Sequence, residues 1–68
     1  MEIPGRIDRS SPIPYYYQLQ ETLRSWIQNN QLAPHTRIPS EAELGDQFNV
    51  SRTVVRQALR GLEREGLI

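Results

Sequence analysis

The strongest constraint on this chain is the run PSEAELGDQFNVSRTVVRQALRGLEREG, Pro39 to Gly66, where two helix patterns stand back to back with only Phe48, Asn49 and Val50 between them. The first opens at Ser40 with Glu43 three residues on, the spacing of a capping box. In that arrangement the serine oxygen accepts from a backbone N–H while the glutamate reaches back to the cap. The second pattern opens at Ser51, another N-cap residue, and runs to Gly66, which can take the left-handed conformation that ends helices. So short a separation makes a tight corner, and two helices joined by one form a helix-turn-helix. The DNA-binding version lays its second helix in the major groove.

The second helix of the pair points the same way. At 100° per residue from Arg52, Arg56, Arg60 and Arg64 fall at about 40°, 80° and 120°, with Thr53 and Gln57 at about 100° and 140°. Val54, Val55, Ala58, Leu59 and Leu62 fall between about 200° and 340°, so the apolar stripe faces away from the cationic one and packs on the first helix of the pair. Gly45 and Ala58 are small residues at the expected closest points of the two helices. Asn49 falls where the corner wants a left-handed backbone, which Asn tolerates better than most residues.

The chain is 68 residues long, enough for one small and marginally stable domain. Without cysteine it has no disulfide framework, thiol nucleophile or cysteine-ligated zinc, in keeping with a reducing compartment. Eight basic and eight acidic residues cancel, so only their distribution is informative. Four of the eight arginines lie between residues 52 and 64, while Glu41, Glu43 and Asp46 gather in the preceding helix, at whose start the dipole favours anions. A solvated charged face is the plain alternative; the serine-capped corner favours a DNA-facing one. No apolar run reaches the roughly 18 residues of a membrane span and there is no signal-peptide core, so a cytoplasmic protein without a membrane partner is expected.

Ahead of the pair, residues 1–11 (MEIPGRIDRSS) have no period and read as a flexible arm. Arg6 and Arg9 in it are candidates for reaching DNA, against the plainer reading of an untethered tail. Pro12 and Pro14 precede a first helix of about Tyr15 to Asn29, since proline suits a first turn and not later ones. Tyr15, Tyr16, Leu19, Leu23, Trp26 and Ile27 share an arc of about 120° and are expected in the core. Tyr17, opposite with Arg24 and Gln28, reads as an ordinary exposed tyrosine. Asn29 and Asn30 end the helix, Ala33 to Thr36 turn, and Arg37-Ile38 is extended because Pro39 follows. His35, the only histidine, has no second ligand type beside it, so no metal or cofactor site is expected.

The run IPSEAELGDQFNVSRTVVRQALRGLEREGLI resembles the N-terminal winged helix-turn-helix of GntR-type bacterial transcription regulators, and the lead-in SPIPYYYQLQETLRSWI resembles their HutC branch. The resemblance covers roughly residues 11 to 68, and its departures are Ala42 where many members have a base-reading arginine, Gly45 for alanine, Val54 for threonine and His35 for glycine. It implies a mainly α fold, a three-helix domain over residues 12–68 with Arg37-Ile38 as a short strand awaiting a wing. The wing, and a C-terminal domain that binds a small-molecule effector and makes the intact parent a homodimer, are expected beyond Ile68, this chain being a domain or piece of a longer protein.

The expected function is sequence-specific DNA binding in a metabolite-responsive transcription regulator, expected to be a repressor, on an inverted-repeat operator. Arg52, Thr53, Arg56 and Gln57 are expected at base edges, with Val54 and Glu41 in the same interface, and Ser40, Ser51 and Arg60 at phosphates. A winged-helix protein-interaction module is the alternative, but it needs an exposed apolar patch where this helix has arginines. An enzyme is not expected: Ser40, His35 and Glu41 are close in sequence, yet nothing activates the serine, whose capping role accounts for it.

Overall fold

The computed structural model describes residues 3–68; Met1 and Glu2, the start of the expected arm, lie outside them. Three helices carry the fold: α1 (Tyr15–Asn29), α2 (Glu41–Phe48) and α3 (Arg52–Arg64). Each bound follows from local chemistry. α1 begins behind Pro14, whose φ of −55° and missing N–H suit a position ahead of a helix. α2 begins with the full capping box: Glu43 N–H donates to Ser40 Oγ at 3.2 Å and Ser40 N–H donates to Glu43 Oε1 at 3.0 Å. At α3 the Val54 N–H donates to Ser51 Oγ at 3.2 Å.

All three helices stop the same way. A residue takes positive φ (Gln31 at 52°, Asn49 at 53°, Gly66 at 76°), and the N–H after it reaches back five residues. Those bonds run from Leu32 to Ile27 at 3.0 Å, from Val50 to Gly45 at 3.1 Å and from Leu67 to Leu62 at 3.1 Å. Each satisfies a carbonyl the helix leaves unpaired. The corner of the helix-turn-helix is therefore Asn49 to Ser51, with Phe48 belonging to α2. At Gly45 a side chain would crowd that corner, because a Cβ there would lie 3.1 Å from the Val50 carbonyl oxygen.

α3 is the hub. α1 and α2 both pack on it, and their backbones do not approach each other. The core collects Leu19, Leu23, Trp26 and Ile27 from α1, Leu44 and Phe48 from α2, and Val55, Ala58 and Leu62 from α3.

Three expectations need correction. Tyr15 and Tyr16, placed in the core by their angle, are 36% and 37% exposed, because the first turn of α1 overhangs the packed layer. Leu59 is only half-buried: at about 340° it lies at the rim of the apolar stripe, next to Arg52 and Glu63, and packs against the core from its edge. The largest difference concerns residues 3–11, which lie on the helices instead of standing clear as an arm. Ile3 and Ile7 are 2% and 7% exposed, in the same core cluster as the helices.

Side chains hold that segment where secondary structure does not. Gln47 of α2 meets the Ile3 main chain on both sides, its Nε2 donating to the carbonyl at 2.5 Å and its Oε1 accepting from the N–H at 3.4 Å. Gln18 of α1 does the same for Asp8, at 2.8 and 3.1 Å. Arg9, a candidate for reaching DNA, instead donates to the Phe48 and Asn49 carbonyls. Arg37-Ile38, expected as a short strand, carries no regular secondary structure, and there is no β-strand among the described residues, since a lone strand has nothing here to pair with.

Candidate nucleic-acid interface

α3 separates its two faces as its sequence requires. Arg52, Thr53, Arg56, Gln57 and Arg60 are exposed, whereas Val55, Ala58 and Leu62 are fully buried. Val54 is divided between them: half-buried, it packs against the core, with part of its side chain left at the surface. Ser40 and Ser51 are exposed, and each accepts a backbone N–H through its hydroxyl oxygen. The Ser51 hydroxyl proton stays available to an incoming acceptor. The same box holds the Glu43 carboxyl below the usual carboxylate range, chiefly through the Ser40 backbone N–H and then its hydroxyl.

The centre of the site is a contact between the two helices. Arg56 donates through Nε to both oxygens of Glu41, at 3.0 and 3.2 Å. Glu41 stands in the first turn of α2 and Arg56 in the second turn of α3, so the pair bridges the helix-turn-helix from the outside. The carboxylate is met by Nε alone, so neither terminal amino group of Arg56 has a hydrogen-bond partner among the described residues. Two such donors match the paired acceptors on the major-groove edge of guanine. Half the Arg56 side chain remains exposed, so the ion pair orients the guanidinium without removing it from solvent.

Arg60 lies between two shallow grooves. One is lined by Glu41, Arg56, Leu59 and Glu63 with Arg60, the other by Tyr16, Gln57 and Arg64 with Arg60. The second brings Tyr16, expected in the core, alongside Arg64 of the cationic face. The angle of Tyr16 on α1 is compatible with either place; only its position in the first turn hinted that nothing would cover it. Arg52 and Arg60 have no ion-pair partner among the described residues.

Other chemistry finds little here. Among the described residues no group of three or more His, Cys, Asp or Glu side chains converges as metal ligands, and no helix is long and apolar enough to cross a membrane. His35 sits in the turn at a φ of 70°, where the Thr36 N–H and hydroxyl both donate to the Ala33 carbonyl.

The family model described as "Bacterial regulatory proteins, gntR family" matches residues 15–68. Over 62 residues the chain is 50% identical to the HTH-type transcriptional repressor NagR of Bacillus subtilis (strain 168), covering 91% of this chain and 26% of that protein. It is 45% identical over 58 residues to an arabinose metabolism transcriptional repressor of Geobacillus stearothermophilus, covering 85% and 16%. With a histidine utilization repressor of Klebsiella aerogenes it shares 45% over 60 residues, covering 88% and 25%. The chain thus spans about a quarter or less of the length of these relatives.

Proposed function

The chain belongs to the GntR family of bacterial regulatory proteins, within which it is similar to the HutC-like repressors, and on that footing we propose that it is the sequence-specific DNA-binding domain of a metabolite-responsive transcription regulator. α3 enters the major groove. Arg52, Thr53, Arg56 and Gln57 meet base edges, and the exposed part of Val54 offers methyl groups to a thymine methyl. Ser40, Ser51, Arg60 and the first-turn N–H groups of α2 and α3 hold phosphates, which fixes the register from which bases are read.

The observation that carries this reading is the Glu41 grip on Arg56. A guanidinium oriented before contact loses less side-chain freedom on binding, which favours a bidentate base contact over loose attraction to phosphate. Glu41 belongs to the interface as the residue that aims Arg56. The intact protein acts in the cytoplasm as a homodimer on an inverted repeat, because two-fold symmetry in the protein is matched by two-fold symmetry in the operator. Its small-molecule effector binds outside residues 1–68.

The test uses the intact protein that carries residues 1–68, a duplex that it selects from a random pool, and a scrambled duplex of the same composition. Arg52→Ala and Arg56→Ala should each weaken the selected duplex by about 1–3 kcal/mol and relax preference at one base pair. Variants that discriminate as well as the parent would show that α3 is not the reader.

A further inference from the structure

We infer that Arg9 is a positioning residue for DNA recognition, setting the corner between α2 and α3 from outside the helix pair. The inference rests on the DNA-binding reading above and adds to it a residue far from α3 in sequence.

The corner needs outside help. The last carbonyls of a helix have no partner within it and carry the negative end of its dipole. At the end of α2 these include the Phe48 and Asn49 carbonyls, and one Arg9 amino group, Nη2, donates to both, at 2.8 and 2.6 Å. The guanidinium is also held from the side, its central carbon 4.9 Å from the centre of the Tyr15 ring. Arg9 is anchored in turn: Asp8 is locked to Gln18 through its main chain, its carboxylate accepts from the Ser10 N–H and hydroxyl at 3.0 and 2.7 Å, and Ile7 is buried. The clamp therefore ties the end of α2 to the start of α1.

What it clamps decides where α3 begins. Asn49 is the left-handed residue of the corner, with φ and ψ both 53°, and Val50 and the Ser51 cap follow directly. A rotation at Asn49 swings Ser51, and with it Arg52 and Arg56, against the frame set by α2. Base contacts require that frame to hold, because donors and acceptors must align. Phosphate contacts tolerate displacement, since a repeating backbone offers an oxygen at many positions. Loss of the clamp should thus remove discrimination rather than attraction.

The experiment is fluorescence anisotropy with the intact protein carrying residues 1–68 on the selected and scrambled duplexes, at several salt concentrations and at a temperature where circular dichroism shows every variant folded. Arg9→Ala should weaken the selected duplex about tenfold, the scale of one specific contact, and leave the scrambled duplex and the salt slope unchanged. Hydrogen exchange at the Val50 amide, which donates to Gly45, should quicken in the same variant. Equal losses on both duplexes with the salt slope lowered by about one would make Arg9 a phosphate contact and overturn the proposal. Unchanged discrimination would overturn it as well. Should Arg9→Ala fail to fold, Arg9→Gln decides: it keeps a polar side chain but lacks the charge and the reach to the Phe48 and Asn49 carbonyls, so full discrimination counts against positioning. A parent protein that selects no duplex from the pool removes the DNA-binding reading itself, whereas a selective parent with equally selective Arg9 variants removes only this inference.

Discussion

Gln20 of α1 lies directly across Gly61 of α3: a Cβ built at position 61 would fall 2.3 Å from the Gln20 Oε1. The glycine marks the close approach of the two helices, yet what fills the space is the far end of a flexible side chain whose Nε2 donates to Glu65 at 3.1 Å. Gly61→Ala gains about 1 kcal/mol of helix propensity and displaces that amide, forfeiting an exposed hydrogen bond of about 0.5–1 kcal/mol. The two effects should nearly cancel in a urea titration. With Gln20→Ala already in place the same substitution should stabilise by most of its propensity gain, and a double-mutant cycle reads the difference.

Leu62 and Leu59 are neighbours on α3 with different stakes. Leu62 is completely buried, and Leu62→Ala should cost about 2–5 kcal/mol, enough to unfold much of so small a domain. Leu59, half-buried at the rim of the groove beside Arg56, should cost about 1–1.5 kcal/mol, half of a full leucine transfer. Thermal melts followed by circular dichroism separate the two.

Glu41→Gln should split affinity from specificity. Removing one negative charge from the interface strengthens binding to the scrambled duplex, while an amide holds the Arg56 Nε less firmly and blunts discrimination by the selected one. Anisotropy on both duplexes should show the two changes in opposite directions.

Arg60→Ala, by contrast, should weaken all duplexes alike and lower the salt slope by about one, as loss of a phosphate contact does. Arg64→Ala should have a smaller effect of the same kind, since Arg64 shares a groove with Arg60 and Tyr16 two turns beyond the base-reading residues.

Acid should act through carboxylates that are more acidic in the fold than in the unfolded chain. Glu43 is lowered by the capping box and Glu65 by the Arg24 guanidinium, which clasps it from α1 at 2.6 Å. For groups shifted down, the stabilisation is complete above the unfolded pKa and disappears as pH falls through the folded one. Stability should therefore be flat near neutrality and decline below the ordinary glutamate value. Glu43→Gln should reduce that decline when denaturation midpoints are measured against pH.

The helix pair was legible because its signals are short-range. A serine and a glutamate three apart, an asparagine at the corner and a glycine at the far end each act within one turn, and each stands where the chain needed it. The arginine face followed from periodicity alone. Residues 3–11 were not legible, since their placement depends on Gln18 and Gln47, polar side chains that nothing local distinguishes from solvated ones. Ile3 and Ile7 are too few to show a period, and Pro4 and Gly5 between them imitate a loop. Arg56 was expected in the site as a reader; its grip by Glu41 joins residues fifteen apart and needs the folded corner to exist.

The segment at the start of the chain also changes how the domain comes apart. With α3 as sole hub, α1 and α2 would be two pendants, each free to peel away by breaking a single joint. Residues 3–11 touch both, at Gln18 and at Gln47, and so close a ring that runs from α1 through α3 and α2 and back along the chain's own beginning. A ring has no loose end. Opening any one helix must break two joints at once, which favours unfolding as a single event over fraying by parts.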